Sequence, residues 1–262
     1  MSNRPVLAVE LPKTVVVTGA ASGLGLELSR LLIAAGVAAI GVDRADPPGD
    51  LIAHRSYVHV SGDVADEATW RAVVARIKEA DAGSIDKLGL ATSAAVLEVG
   101  SILETSRESL MRLLEINVVG TALAMKAILP LMIARGGGSI VAVASVNATI
   151  AEQSLAGYNA TKAAVRQLAR TVAMDHARDG IRINVLSPGP MMAGLFKRHL
   201  ETAPDAERFL AMRTARQPGG RILDASDVAW VAMFLLSTGS AAMLGADVTV
   251  DGGLTASFDF RT

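Results

Sequence analysis

A chain of 262 residues, 51% of them hydrophobic, can bury a sizeable core, and its length suits one large α/β domain over residues 1–262. With 25 basic and 26 acidic side chains and no Lys/Arg block, it has no electrostatic footprint for nucleic acid or an anionic membrane, and neither is expected as a partner. The lack of cysteine excludes disulfides, thiolate catalysis and Cys-ligated zinc, and it fits a reducing compartment. Met1 to Lys13 has no signal-like pattern, and the longest apolar run, Leu31 to Val42, is too short to span about 30 Å of hydrocarbon, so a cytoplasmic location is expected.

In chain order, apolar β-rich runs at 13–18, 38–43, 56–60, 87–92, 139–144, 181–186 and 246–250 alternate with helical patterns at 23–35, 66–80, 107–133, 156–178 and 226–237. The alternation predicts βαβ units, and near-continuous apolar strands predict a parallel sheet of about seven strands covered on both faces. The connection 44–55 holds Asp46-Pro47-Pro48-Gly49-Asp50, which breaks helices and predicts a short irregular crossover. Residues 190–221 break the rhythm. There Met191, Met192, Leu195, Phe196, Phe209, Leu210 and Met212 stand among charges on two short helices, with Pro188, Gly189 and Pro218-Gly219-Gly220 as hinges. Such a segment is either an ordinary surface excursion or an apolar lid over a substrate pocket.

Three groups of residues carry chemistry. Gly19, Gly23 and Gly25, with Ser22 and Leu24 between them, follow a predicted strand and open a predicted helix; glycines there let the backbone approach a pyrophosphate at a helix N-terminus. The plainer reading is a tight strand-to-helix turn. The next strand ends in Asp43, whose carboxylate can accept from both adenosine ribose hydroxyls and would repel a 2′-phosphate, favouring NAD(H) over NADP(H). Arg44 beside it could meet a phosphate, but Ser22 offers no second cation. Asp63 and Val64, past the third strand, are placed to cap the adenine, although Asp63 also suits a turn or helix cap. Finally, Tyr158 and Lys162 stand one helical turn apart, where a cation favours a phenolate, with Ser145 thirteen residues upstream of the tyrosine. Alone, such a pair is more often a solvated surface pair. His54, His59, His176 and His199 are scattered without ligand spacing, so no metal is expected.

Taken together, Thr18 to Gly25, Asn117 within Ile116 to Gly120, Ser145, Tyr158 with Lys162, Ser187 to Pro190 and Val250 to Gly253 resemble the short-chain dehydrogenase/reductase family over about residues 12–255. The resemblance implies a single-domain Rossmann fold and a catalytic tetrad of Asn117, Ser145, Tyr158 and Lys162. In it Tyr158 exchanges a proton with the substrate oxygen while hydride moves to or from the nicotinamide, and Ser145 holds the same oxygen. Lys162 holds the nicotinamide ribose and lowers the tyrosine pKa, and Asn117 holds a water linking Lys162 to solvent. Pro188, Gly189 and Met191 approach the carboxamide, and Thr92 lies by the adenosine ribose.

Two departures stand out. The family's Asn-Asn-Ala-Gly stretch is replaced by Thr92-Ser93-Ala94-Ala95, which loses amide ties between strands, and a threonine hydroxyl is missing near Ala193. The expected activity is hydride transfer between NAD(H) and a small-molecule secondary alcohol or ketone. The alternatives are an NADP-dependent acyl-thioester reductase, disfavoured by Asp43, and a catalytically weak dinucleotide sensor, disfavoured by the complete tetrad. Val96, Leu97, Met191, Met192 and Phe196 predict an apolar pocket, with no arginine obviously placed for a carboxylate. Helices 107–133 and 156–178 are apolar over more than one face, which suggests burial against a second subunit; the resemblance implies a homotetramer, with Ala169 a position where a charge would dissociate it.

Overall fold

Strands rich in Val, Ile, Leu and Ala lose too much by facing water on either side, and here they pair as one parallel sheet. They are β1 (Thr14–Thr18), β2 (Ala38–Asp43), β3 (Tyr57–Ser61), β4 (Leu88–Thr92), β5 (Gly138–Val143), β6 (Ile181–Pro188) and β7 (Asp247–Val250). The structure, a computed structural model, describes residues 9–80 and 86–257. The strand order is β3-β2-β1-β4-β5-β6-β7. The chain winds outward from β1 to β3, then returns to lay β4 beside β1, so a crevice opens at the carboxyl ends of those two strands. Register brings the chemistry to that edge: Thr18 pairs with Val42 on one side and Thr92 on the other, and Asp43 pairs with Ser61.

The helices are α1 (Gly23–Ala34), α2 (Gly49–Ile52), α3 (Glu67–Ala80), α4 (Arg107–Leu114), α5 (Gly120–Ala134), α6 (Ala156–Asp175), α7 (Gly194–Glu201), α8 (Ala206–Ala215) and α9 (Ala225–Leu236). Leu28 and Leu32 of α1 and Val228 and Leu235 of α9 pack with Val15 and Val17 on one face. Ile77 of α3, Ile128 of α5 and Val165 of α6 pack with Val16, Leu90 and Ile140 on the other. Neighbouring valines of β1 thus feed opposite layers, as the two-residue period of a strand requires. Both layers share one sheet, so the chain is a single α/β domain.

The structure departs from the expected helices in three places. The run 107–133 is divided by a five-residue π turn, Glu115–Val119, between α4 and α5. The wider turn directs Asn117, 1% exposed, inward, and no hydrophobic period signals such an insertion. The whole run Arg107–Ala134 is long and apolar enough by composition to cross a membrane, yet it lies on the sheet with Met125, Ile128 and Met132 in the core. The crossover 44–55 is not wholly irregular: α2 forms directly after Pro48, because proline's missing N–H costs nothing at a helix start. The helix expected over 156–178 ends at Asp175, and the 3-10 turn Ala177–Asp179 follows, closed by Gly180 at φ +73. On α6, Ala169 is 1% exposed and packs in the subunit's own core, so a charge there would break the fold and not an interface.

Candidate active site

At the end of β1 the chain must turn sharply while leaving room in front of α1. Gly19 and Gly23 do so at φ +69 and +58, in the left-handed region. A Cβ on Gly19 would lie 2.9 Å from the Ala94 Cα, and one on Gly25 would lie 2.4 Å from the Gly19 carbonyl oxygen. Gly25 therefore packs the helix onto the loop and does not line the cavity, whereas Gly19, Ser22, Gly23 and Leu24 do. Ser22, the N-cap of α1, makes no side-chain bond to the first turn, and no acidic residue stands there, which leaves its N–H groups and dipole for an anion.

The cavity has a volume of about 590 Å³ and runs from this loop along the carboxyl edge of the sheet. Asp43 lines it, with Oδ2 accepting from the Ala21 N–H and Oδ1 from the Ala45 N–H, both at 3.0 Å. A carboxylate keeps further lone pairs free for a ligand. Arg44 is turned toward Asp63, with 3.7 Å between Nη1 and Oδ2, and its side chain is 70% exposed. Asp63 and Val64 line the cavity, and Asp63 also accepts from the Ala65 N–H at 2.9 Å, the bond of a turn residue.

Thr92 does not reach the cavity; it is buried with its hydroxyl unpartnered, and Ser93, Ala94 and Ala95 line the wall instead. The ties that the replaced asparagines would supply come from elsewhere. The Ala94 N–H donates to Thr18 Oγ1 at 3.0 Å, and the Asn117 amide clamps the Val96 backbone by accepting its N–H at 2.8 Å and donating to its carbonyl at 3.0 Å. The room left by the side-chain-free glycine loop, unsatisfied helix amides and an available carboxylate are together what an adenosine diphosphate moiety needs, so the residues present fit a dinucleotide.

At the other end, β5 delivers Ser145, and α6 delivers Tyr158 and Lys162 to the same wall. Ser145 Oγ accepts from the Asn147 N–H at 3.1 Å and remains a donor. Tyr158 is buried, and the Lys162 Nζ sits 5.7 Å from its ring centroid while donating to the Val143 carbonyl at 2.9 Å. Burial pushes the Tyr158 phenol up to about 12, a hydrogen bond with Ser145 pulls it down, and the Glu152 carboxylate adds to the rise. Burial likewise pushes Lys162 down to about 8. Loss of solvation is thus the largest influence on both groups.

Asn117 lies behind the wall and not on it. Besides its bonds to Val96, its amide donates to Thr161 Oγ1 at 3.0 Å, so both N–H groups are spent and its side chain has no donor left for a water.

The segment 190–221 folds back over the cavity as α7 and α8. Met191, Phe196, Val96 and Leu97 line it as expected, whereas Met192 does not. Gly194, at φ +53, abuts Gly23, so the segment begins against the glycine loop. Arg198, His199, Arg213, Arg216 and Gln217 also reach the cavity, which corrects the expectation that no arginine is placed for a carboxylate. Arg213 makes a short contact to Glu152 and sits over the Phe209 ring at 5.0 Å, and Glu152 Oε2 accepts from Asn147 Nδ2 at 3.0 Å. Burial and the Arg213 charge hold the His199 imidazole below its usual range. The buried Gln217 Oε1 has no partner. None of these residues belongs to a motif; the only local signal was a basic pair, Arg213 and Arg216, three apart on a short helix.

A family model described as Enoyl-(Acyl carrier protein) reductase matches residues 19–255. The chain is 36% identical over 258 residues to cis-4-hydroxycyclohexanecarboxylate dehydrogenase of Sinomonas cyclohexanicum, covering 93% of this chain and 97% of that protein. It is 35% identical over 242 residues to galactitol 2-dehydrogenase (L-tagatose-forming) of Cereibacter sphaeroides, covering 91% and 93%. Among solved structures, ligand-free aldohexose dehydrogenase of Thermoplasma acidophilum superposes with a TM-score of 0.86 at 26% identity, over 96% of this chain and 97% of that one.

Proposed function

The chain belongs to the short-chain dehydrogenase/reductase family, and from that premise we propose that it moves a hydride between NAD(H) and a secondary alcohol or ketone with Tyr158 as acid/base. It is an alcohol/ketone oxidoreductase that uses a nicotinamide dinucleotide. The observation that carries the proposal is the convergence of the Ser145 hydroxyl, the Tyr158 phenol and the Lys162 ammonium on one end of a cavity whose other end is the glycine cradle.

Bound at that cradle, the dinucleotide would supply the hydride donor or acceptor. Tyr158 gives its phenol proton to the ketone oxygen in the reducing direction and, as the phenolate, takes the hydroxyl proton of the alcohol in the oxidising direction. The Ser145 hydroxyl donates to the same oxygen and fixes its position. Lys162 has two N–H donors beyond the one spent on Val143, enough for the nicotinamide ribose hydroxyls. Pro188, Gly189 and Met191 form the wall on the nicotinamide side. The choice of NAD(H) rests on Asp43, and the weak, exposed Arg44–Asp63 pair does not offset that carboxylate toward a 2′-phosphate.

The segment 190–221 acts as the substrate lid in this reading. The named relatives act on alcohols of a ring carboxylate and a polyol, which supports a small secondary alcohol here. Following NADH absorbance over secondary and cyclic alcohols tests the activity. Tyr158→Phe should lower turnover by about 10²–10⁴-fold and leave NADH affinity unchanged; activity within threefold of the parent would overturn the tyrosine's role.

A further inference from the structure

We propose that the substrate carries a carboxylate on an apolar body and that the guanidinium of Arg213 receives it, with Arg216 and Arg198 reinforcing the field. This rests on the alcohol/ketone reading above and narrows its substrate class. The lid side of the cavity carries Arg198, Arg213 and Arg216 against a single carboxylate, Glu152, since Asp43 and Asp63 belong to the glycine-loop end with Arg44. Arg198 and Arg216 pair with no acid among the described residues. Arg198 and Arg216 are exposed to solvent, so Arg213 is the cation set into the wall itself, and a guanidinium there stays charged at any physiological pH.

Arg213 is also prepared for a ligand. Its side chain is only 22% exposed, it lies over Phe209, and Glu152 holds one end of it. Glu152 in turn is tied to Asn147, whose N–H donates to Ser145 Oγ, so the guanidinium is tethered through two side chains to the group that meets the reacting oxygen. Its remaining N–H donors form the planar fork that matches a carboxylate. Arg213, Glu152 and Tyr158 all line the same cavity. Burial first, and the Arg213 charge second, push the neighbouring His199 imidazole down, so it adds no strong positive charge of its own beside the guanidinium. The same cavity is lined by the apolar side chains of Val96, Ile150, Leu155 and Phe196.

The probes are cyclohexanecarboxylate and cyclohexanecarboxamide, titrated calorimetrically into the enzyme loaded with NADH. The carboxylate should bind about ten- to a hundredfold more tightly than the amide, as charge-assisted hydrogen bonds imply. Arg213→Met should remove most of that preference, and Arg213→Lys should restore part of it. Equal binding of the two probes, or a preference that survives Arg213→Met, overturns the proposal. An Arg213→Met variant that loses NADH affinity to the same degree also overturns it, because the cation would then serve the dinucleotide phosphates. Turnover separates the two readings. If 4-hydroxycyclohexanecarboxylate and its methyl ester are oxidised equally well, the carboxylate proposal fails and the alcohol reading stands. If no secondary alcohol of any charge is oxidised although NADH binds, the alcohol reading itself fails.

Discussion

Lys162 is the residue whose energetics the site most distorts. It is 3% exposed, its only hydrogen bond among the described residues is to the Val143 carbonyl, and burial pushes its ammonium down to about 8 from 10.5. Below pH 8 both folded and unfolded chains hold the proton, and the folded state bears the full cost of the buried charge. Between pH 8 and 10.5 only the unfolded chain holds it, so this group's contribution to stability rises with pH across that window. At about 1.4 kcal/mol per tenfold, the penalty near neutrality is on the order of 3 kcal/mol. Lys162→Met should therefore raise the melting temperature of the nucleotide-free protein at pH 7 and lose that advantage by pH 10, even as it abolishes turnover. A variant less stable than the parent at pH 7 would contradict this.

Asp43 is the second test at this scale. Asp43→Ala removes the like charge that a 2′-phosphate would meet while Arg44 remains, so the ratio of kcat/KM for NAD over NADP should fall. A parent enzyme that already prefers NADP would show the reading of Asp43 to be wrong.

At the scale of elements, the π turn between α4 and α5 decides what Asn117 does. Helical hydrogen bonds alone favour an unbroken α-helix, and the insertion persists because it lets one amide satisfy Val96 N–H, Val96 C=O and Thr161 Oγ1 together. Asn117→Ala removes all three bonds, two of them to the half-buried Val96 backbone, at a cost of about 3 kcal/mol. Urea unfolding should show the midpoint falling accordingly. If instead kcat drops and the midpoint stays put, Asn117 acts in proton relay and not as a clamp. The sharp turn after β6 has a similar logic. Gly189 backs onto Asp251, where a Cβ would lie 2.9 Å from the aspartate Cβ. Burial alone would raise the Asp251 carboxyl, but bonds from Thr255 and Gly253 outweigh it and hold it below the usual carboxylate range. The Val250 to Gly253 motif thus locks the turn that carries Pro188 and Gly189 to the cavity.

For the whole molecule, assembly is the open property. Two apolar stripes remain at the surface on opposite faces of the sheet. Trp230 and Phe234, one turn apart on α9, are 59% and 45% exposed, and Met111, Val119 and Ile133 stand out along the run from α4 to α5. Two separate stripes suit two separate two-fold contacts, which is what a tetramer of dihedral symmetry requires. Light scattering should give about four times the 27.1 kDa chain mass, and Trp230→Asp should reduce it to about two. A parent chain that is monomeric at every concentration would refute the homotetramer.

Local chemistry alone determined much of this protein. The seven strands were legible within a few residues because strands buried on both faces must be continuously apolar. Gly19 and Gly23, Asp43 and the Tyr158/Lys162 pair were legible because a tight turn, a strand end and a helical repeat each constrain residue type at fixed spacing. What needed the tertiary structure was everything set by how distant segments meet. Gly25 and Thr92 turned out to face packing and not the cavity, and Asn117 was drawn behind the wall by Val96, twenty-one residues away. Arg213 reached Glu152 across sixty-one residues only because the lid folds over the sheet edge. Burial raises the tyrosine and lowers its lysine, since desolvation depends on what all the other elements exclude and not on spacing along one helix.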